Sequence, residues 1–218
     1  MKGRIFLLLG AAAALIVISM AIHRQTNPED YLPEPKPQPP PKPTSPATFE
    51  PTETVTVKTK RGVFKFVLFG TDMPITRKNF VDLAKKGFYK GLKFHRVEDW
   101  VVQGGDPKGN GSGGSGKTIK FEVRPGLGFE KPYTVGMARR QEVPDSASSQ
   151  FFVTKRSAPE ITGMYAAFGR VFKGQEVVDK LKKGDEIQEL TVSPVSGQDI
   201  PRIMQIEKVK PDEQRAKP

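Results

Sequence analysis

Short runs of alternating apolar and polar residues dominate the chain from Thr54 onwards. Residues 54–59 and 63–69 alternate with period two on either side of Lys60-Arg61-Gly62, which predicts a β-hairpin closed by a glycine turn. The pattern predicts further strands over residues 93–97, 100–103, 117–123, 133–138, 150–154, 166–172 and 203–209.

Two segments follow the helical period instead. In residues 76–87 three apolar residues share one face, Thr76 is a candidate cap, and Gly87 supplies the stop. A second, shorter helix is predicted over residues 175–182. About eight strands, two helices and many glycine turns indicate a mainly β domain. We expect a closed eight-stranded antiparallel barrel with two capping helices.

The N-terminal pattern is of a different kind. Residues 5–22 are apolar without a charge, with Lys2 and Arg4 before them and His23-Arg24 after them. This is the pattern of a membrane anchor or of a signal peptide over residues 1–24, and its length favours the uncleaved anchor. The preceding charges predict that the rest of the chain lies outside the cytoplasm, membrane-anchored or, if residues 1–24 are cleaved, secreted.

The next segment, residues 25–53, is rich in proline and poor in apolar residues. Such a composition predicts an extended linker, although its PxxP frames would also suit recognition by a partner. The folded domain is expected to span residues 54–210, followed by a disordered polar tail over residues 211–218.

The composition of the chain excludes several kinds of catalytic and metal-binding site. The chain of 218 residues has no cysteine and two histidines, so thiolate catalysis, disulfides and Cys/His zinc sites are excluded. No acidic cluster has a calcium-loop spacing, and we therefore expect no metal. The net charge is +11, but the basic residues are scattered singly or in pairs, which indicates a solvated surface rather than a nucleic-acid partner.

One motif suggests a nucleotide. The stretch GSGGSGKT, residues 111–118, fits the phosphate-loop spacing G-x-x-x-x-G-K-[ST]. That motif binds phosphate only where a helix begins directly after the loop. Because residues 117–123 alternate like a strand, we expect a surface turn and no nucleotide.

Three longer segments are more specific: FHRVEDWVVQGGDPKGNGSGG (94–114), VGMARRQEVPDSASSQFFVT (135–154) and YAAFGRVFKGQEVVDKL (165–181). Together they resemble the cyclophilin family of peptidyl-prolyl isomerases, and PDSASSQFF looks like bacterial-type members. The resemblance covers nearly all of residues 54–209. It implies an isomerase that acts on X-Pro bonds of polypeptides without a cofactor. Together with the predicted anchor, we expect this isomerase to assist the folding of exported proteins.

The same motifs imply the site residues. By position, the resemblance assigns catalysis to Arg96, Gln103 and Phe152. The interval from Arg96 to Gln103 is one residue shorter than in the best-known members. Glu160 stands in place of a family tryptophan that contacts cyclosporin, so only weak cyclosporin binding is expected. Substrate binding is assigned to Trp100, Val101, Ala138, Arg139, Gln150, Ile161 and Tyr165.

These residue types suit the reaction. Rotation about an amide meets a barrier of about 18–20 kcal/mol, and a catalyst must stabilise the twisted amide beside an apolar proline pocket. An Arg that is always charged supplies fixed donors for that purpose. Other readings stay open: a proline-peptide-binding module or chaperone with little turnover, or a scaffold with a proline stalk. Arg96 could also be a surface ion-pair residue, Trp100 plain packing, and Tyr165 either a pocket rim or packing.

Overall fold

A computed structural model describes residues 51–208 of the chain. The predicted anchor, nearly all of the predicted linker and the predicted polar tail lie outside the described residues. Across residues 51–208 no helix is both long and apolar enough to cross a lipid bilayer.

Within this range eight strands form one curled antiparallel sheet in the order β3-β4-β6-β5-β7-β2-β1-β8. Register shifts interrupt two ladders, between Lys65 and Phe66 and between Val135 and Gly136. Such irregularities increase twist and help a sheet to curl. The strands are β1 (Glu53–Thr59), β2 (Gly62–Leu68), β3 (Arg96–Val97), β4 (Val101–Gly104), β5 (Thr134–Met137), β6 (Phe151–Thr154), β7 (Ala166–Lys173) and β8 (Glu189–Pro194).

The sheet order ends at β3 and β8, which share no ladder. Just before these two strands, however, backbone hydrogen bonds join residues 91–94 to residues 184–187. The N–H of Phe94 donates to the carbonyl of Asp185 at 2.9 Å, and the N–H of Ile187 donates to that of Leu92 at 2.8 Å. These bonds hold the segments that lead into the two end strands next to each other in space.

The main core lies between the inner face of the sheet and helix α1 (Pro74–Lys85). Phe80 of α1 is fully buried, and its ring lies 4.9–5.7 Å from those of Phe66, Tyr89, Phe151 and Phe168. Helix α2 (Gln175–Lys180) adds Val177 and Val178 to the same cluster. Both predicted helices are thus present.

The start of α1 differs from the prediction. The helix begins at Pro74, the preferred first position for proline, and Thr76 lies inside it rather than capping it. The cap comes from a distant residue, because the Glu122 carboxylate accepts the N–H groups of Ile75 at 2.9 Å and Thr76 at 2.6 Å. A carboxylate at this end also complements the helix dipole.

Two predicted strands are wrong. Residues 117–123 form no strand and make a single bridge, Ile119 to Ala147, because no neighbouring strand runs alongside them. Residues 203–209 were predicted as the last strand, but a helix, α3 (Ile200–Lys208), occupies this part of the chain. Ile203 of α3 is buried against Val67 and Phe172. The last strand is instead β8, which pairs with β1.

Candidate active site

The three residues assigned to catalysis stand in one row across the sheet. Arg96 of β3 pairs in register with Gln103 of β4, and Gln103 pairs with Phe152 of β6. Residues that pair directly across antiparallel strands have their side chains on the same face. The hairpin β3–β4 and strand β6 therefore bring a guanidinium, an amide and an aromatic ring side by side.

Phe152 belongs to a small apolar cluster that is separate from the main core. Its neighbour Phe151 faces the opposite side of β6 and lies in the main core, as strand alternation requires. The small cluster contains every apolar residue assigned to substrate binding. Its buried members are Val101, Phe129, Phe152, Ala158 and Ala167, and its partly buried members are Trp100, Ala138, Ile161 and Tyr165.

The Phe152 ring is held from two sides. It stacks on Phe129 with centroids 5.4 Å apart and meets Tyr165 edge-on at 5.5 Å. Gly136, the register partner of Phe152, makes this possible. A Cβ at position 136 would lie 2.4 Å from the Phe152 ring and 2.7 Å from the Phe129 ring, so any side chain there would displace the rings.

The Arg96 guanidinium is exposed but paired. Its Nε donates to Oε1 of Glu98 at 2.7 Å and its Nη2 to Oε2 at 3.0 Å, while Nη1 lies 3.4 Å from Oε1 of Gln103. The hydrogen bond to Glu98 raises the pKa of Arg96, and the same bond lowers the pKa of Glu98. Both groups are therefore ionised at neutral pH.

A chain of amides fixes Gln103. Its Nε2 donates to Oε1 of Gln150 at 2.9 Å, and Nε2 of Gln150 donates to the carbonyls of Gly111 and Gly113, both at 2.8 Å. Gln103 is thus left with its carbonyl oxygen directed towards Arg96. These two carbonyls belong to the glycine loop (residues 107–118), which therefore anchors the row.

Arg139 lies beside the apolar cluster rather than in it. Its Nε donates to the carbonyl of Met164 at 2.8 Å, and its Nη1 donates to the carbonyls of Arg140 and Gln141 at 2.9 and 2.7 Å. The guanidinium also covers the rings of Phe121 and Tyr165. Most of its donors are therefore engaged in holding loops together. A cavity of about 650 Å³ opens next to it, lined by Gln103, Ala138, Gln150 and the glycine loop.

The glycine loop, which contains the phosphate-loop pattern of residues 111–118, surrounds a carboxylate of the protein with the N–H groups of its first half. The carboxylate of Asp106, which is 1% exposed, accepts the N–H groups of Lys108, Asn110 and Gly111 at 2.6–3.0 Å. Burial raises the pKa of Asp106, but these backbone donors outweigh it and the pKa lies below its usual value. No helix begins directly after the loop. In the described part of the chain, no three His, Asp or Glu side chains form a metal-binding group.

Sequence reasoning missed several residues of this site, of which Phe129 and Glu98 make the most specific contacts. Phe129 lies in a loop without periodicity, and its only signal is a large aromatic residue among glycines and charges. Glu98 lies in the shortened interval between Arg96 and Gln103, where the acidic pair Glu98-Asp99 was the available signal.

Comparison with known proteins agrees with this geometry. The family model for "Cyclophilin type peptidyl-prolyl cis-trans isomerase/CLD" matches residues 54–210. A peptidyl-prolyl cis-trans isomerase of Helicobacter pylori is 41% identical over 141 residues, which is 63% of this chain and 85% of that protein. The peptidyl-prolyl cis-trans isomerase-like 1 protein of Mus musculus is 39% identical over 140 residues, 62% of this chain and 82% of that one.

Solved structures give the same result. A cyclophilin-type isomerase from Cryptosporidium parvum superposes with a TM-score of 0.62 at 30% identity, covering 66% of this chain and 99% of that one. A second structure of that protein, determined in the presence of the dipeptide Ala-Pro, gives a TM-score of 0.58 at 32% identity with the same coverage. The chain therefore belongs to the cyclophilin-type peptidyl-prolyl cis-trans isomerase family. Its activity is the cis-trans isomerisation of X-Pro peptide bonds.

Proposed function

We propose that Arg96 catalyses this isomerisation by donating hydrogen bonds to the twisted X-Pro amide while the proline ring rests against Phe152. The row of Arg96, Gln103 and Phe152 across three neighbouring strands carries this proposal. It provides a charged donor beside an apolar surface, and the proposed catalysis of amide rotation uses both.

The energetics suit a guanidinium. As the amide twists it loses resonance, and its nitrogen regains a lone pair that can accept a hydrogen bond. Donors already in place for that state lower the barrier without being reorganised during the reaction. The neighbouring carbonyl oxygen is a second acceptor. The planar guanidinium has more than one N–H group and can therefore donate to both the amide nitrogen and this oxygen. The Gln103 carbonyl oxygen lies next to Nη1 of the guanidinium, and the Gln103 side chain is itself fixed by its hydrogen bond to Gln150.

The apolar cluster supplies the proline pocket in this proposal. Phe152 forms its floor, Val101 is buried beside it, and Trp100 and Ile161 contribute partly exposed walls. Tyr165 and Ala138 lie at the rim, while Gln150 and Arg139 extend the surface towards the glycine loop. An apolar ring gains free energy by leaving water for such a surface. Binding energy from the ring then holds the amide next to Arg96.

The cellular role we propose is the folding of exported proteins by a membrane-tethered isomerase of the bacterial type. Residues 5–22 would anchor the chain and residues 25–53 would space the domain from the membrane, on the extracytoplasmic side. In a bacterial host the full chain should fractionate with membranes and be digested by protease added to spheroplasts. Recovery in the soluble extract with an N-terminus near residue 22 would instead establish cleavage and secretion.

We also infer that the sheet closes into a barrel through residues 91–94 and 184–187, since their backbone bonds join the segments before β3 and β8. Slow amide exchange at Phe94 and Ile187, comparable with that of the central strands, would support closure, and fast exchange would contradict it.

The direct test of the function is cis-trans exchange in a short proline peptide, measured by NMR with the chain from residue 50 onwards. This chain should fold and accelerate exchange as well as the full-length protein. Binding of the peptide without accelerated exchange would favour a peptide-binding module.

Cyclosporin should inhibit only weakly, because the exposed Glu160, paired with Arg156, occupies the position of the family tryptophan.

A further inference from the structure

Both oxygens of the Glu98 carboxylate are bound to functional residues of the site. Oε1 accepts Nε of Arg96 at 2.7 Å, and Oε2 accepts Nη2 of Arg96 at 3.0 Å and the indole Nε1 of Trp100 at 2.9 Å. Glu98 lies between these two residues in the connection from β3 to β4. A single carboxylate therefore ties the guanidinium to the wall of the apolar cluster.

The pairing fixes the guanidinium plane. An Arg side chain that is 42% exposed would sample many rotamers if it had no partner. The bidentate contact with Glu98 occupies the edge formed by Nε and Nη2 and leaves Nη1 next to Gln103. The free N–H groups of Arg96 are thereby confined to one end of the guanidinium.

The contact with Trp100 has a similar effect on the pocket wall. The indole ring lies near two guanidinium carbons, Cζ of Arg96 at 5.4 Å and Cζ of Arg156 at 5.6 Å. Arg156 is neutralised by Glu160, whose Oε1 lies 3.0 Å from its Nη2. Glu98 provides the corresponding negative charge for Arg96 and also holds the indole N–H.

We propose that Glu98 is a positioning residue for the isomerase reaction, which holds the Arg96 guanidinium and the Trp100 indole in fixed places beside Phe152. The inference rests on the proposed role of Arg96. A competing role is that Glu98 withholds the guanidinium from the substrate, and this role predicts the opposite change in rate when the carboxylate is removed.

The test compares the full-length protein with Glu98→Gln in kcat and KM for a short proline peptide. Misplaced catalytic groups reduce turnover by about ten- to a hundredfold, so kcat should fall at least about fivefold. KM should rise by a smaller factor, because Trp100, one wall of the pocket, also loses its hydrogen-bond partner. Trp100 is the only tryptophan of the chain, so its fluorescence reports directly on the site. Acrylamide should quench Glu98→Gln more strongly than wild type. Exposed ion pairs contribute little to folding, and the melting temperature should hardly change.

Asp82→Asn is the matched control. It removes the negative charge of another exposed ion pair, which Asp82 forms with Lys78 on α1 and not at the site. It should match wild type in rate and in quenching. Unchanged kcat and quenching in Glu98→Gln would overturn the inference, and a faster Glu98→Gln would establish the competing role. In either case Arg96→Ala would still lose about 10²–10³ in rate. Loss of the proposed function itself has a different signature, since Arg96→Ala would then turn over like wild type.

Discussion

The rings of Phe129 and Phe152 are stacked, with centroids 5.4 Å apart and planes inclined at 20°. Phe129 comes from the loop before β5 and is fully buried, whereas Phe152 is on β6 and is 5% exposed. Phe129 therefore supports the ring that we assign to the floor of the proline pocket. Without this support, Phe152 would gain freedom to tilt.

Phe129→Leu should weaken substrate binding more than it weakens folding. The substitution removes a stacked aromatic pair, which contributes about 0.5–1.5 kcal/mol, and roughly preserves apolar volume. We expect the free energy of unfolding to fall by about 1–2 kcal/mol and KM to rise severalfold. Phe172→Leu is the control, because Phe172 is equally buried in the separate cluster with Val67 and Ile203. A similar rise in KM in both variants would contradict this role of Phe129.

Asp106→Asn should loosen the glycine loop. The substitution replaces a carboxylate acceptor of several backbone N–H groups, and bonds to charged groups contribute about 1.5–3 kcal/mol each. Amide exchange at Asn110 and Gly111 should accelerate. Isomerisation should slow, because Gln150 is anchored on this loop. Lys108→Ala keeps its backbone N–H and should leave loop exchange unchanged. ATP with magnesium should not perturb the amide signals of the loop in the wild-type protein.

Asp185 is expected to make stability depend on pH. Burial raises its pKa, but hydrogen bonds from Arg61 and Lys60 and the N–H of Lys182 outweigh burial and hold the pKa well below its usual range. Because the folded pKa is lower than the unfolded value of about 3.9, the stabilisation is present above that pH and is lost as pH falls below it. Asp185→Asn should be about 2 kcal/mol less stable at pH 7. Urea unfolding should show this difference shrinking below pH 4, and a constant difference would contradict the assignment.

Glu207 is expected to attach α3 to the sheet. Its carboxylate bonds to Arg170, which is 5% exposed on β7, and to Lys131. Glu207→Ala would leave the Arg170 charge buried without its acidic partner, at a cost of about 3 kcal/mol. Met204→Ala, which changes an exposed side chain on the same helix, should change stability by less than about 0.5 kcal/mol. Equal denaturation curves for the two variants would contradict this account.

The sequence predicted the elements that carry a run of apolar residues bounded by turn residues. The hairpin β1–β2, strands β4 to β7 and helices α1 and α2 all lie near their predicted bounds. Period two alone failed over residues 117–123, because alternation cannot tell whether a partner strand is available. In α3, Ile203 and Ile206 are three residues apart, which is helical spacing, but the short apolar run at the end of the domain was interpreted as a strand. Strand β8 was missed because only Leu190 and Val192 carry its apolar signal.

The sequence predicted those site residues that lie in short contiguous motifs. Arg96, Gln103 and Phe152 could be named from short motifs, and the strand register brings them into one row. Phe129 reaches Phe152 only through the tertiary fold, so no local pattern identifies it. The contacts of Arg139 with Met164 and Gln141 also depend on loop geometry that a motif does not encode.

The most direct test of the account is the exchange rate of a proline peptide with Arg96→Ala. Loss of one preorganised donor typically reduces the rate by about 10²–10³, and Arg96→Lys should also fail because an ammonium cannot replace the planar guanidinium. Arg202→Ala removes an equal charge whose Nε donates to the Phe172 carbonyl, away from the site, and should keep turnover within about twofold. Circular dichroism should show all three variants folded. Normal turnover by a folded Arg96→Ala protein would contradict the assignment of the active site.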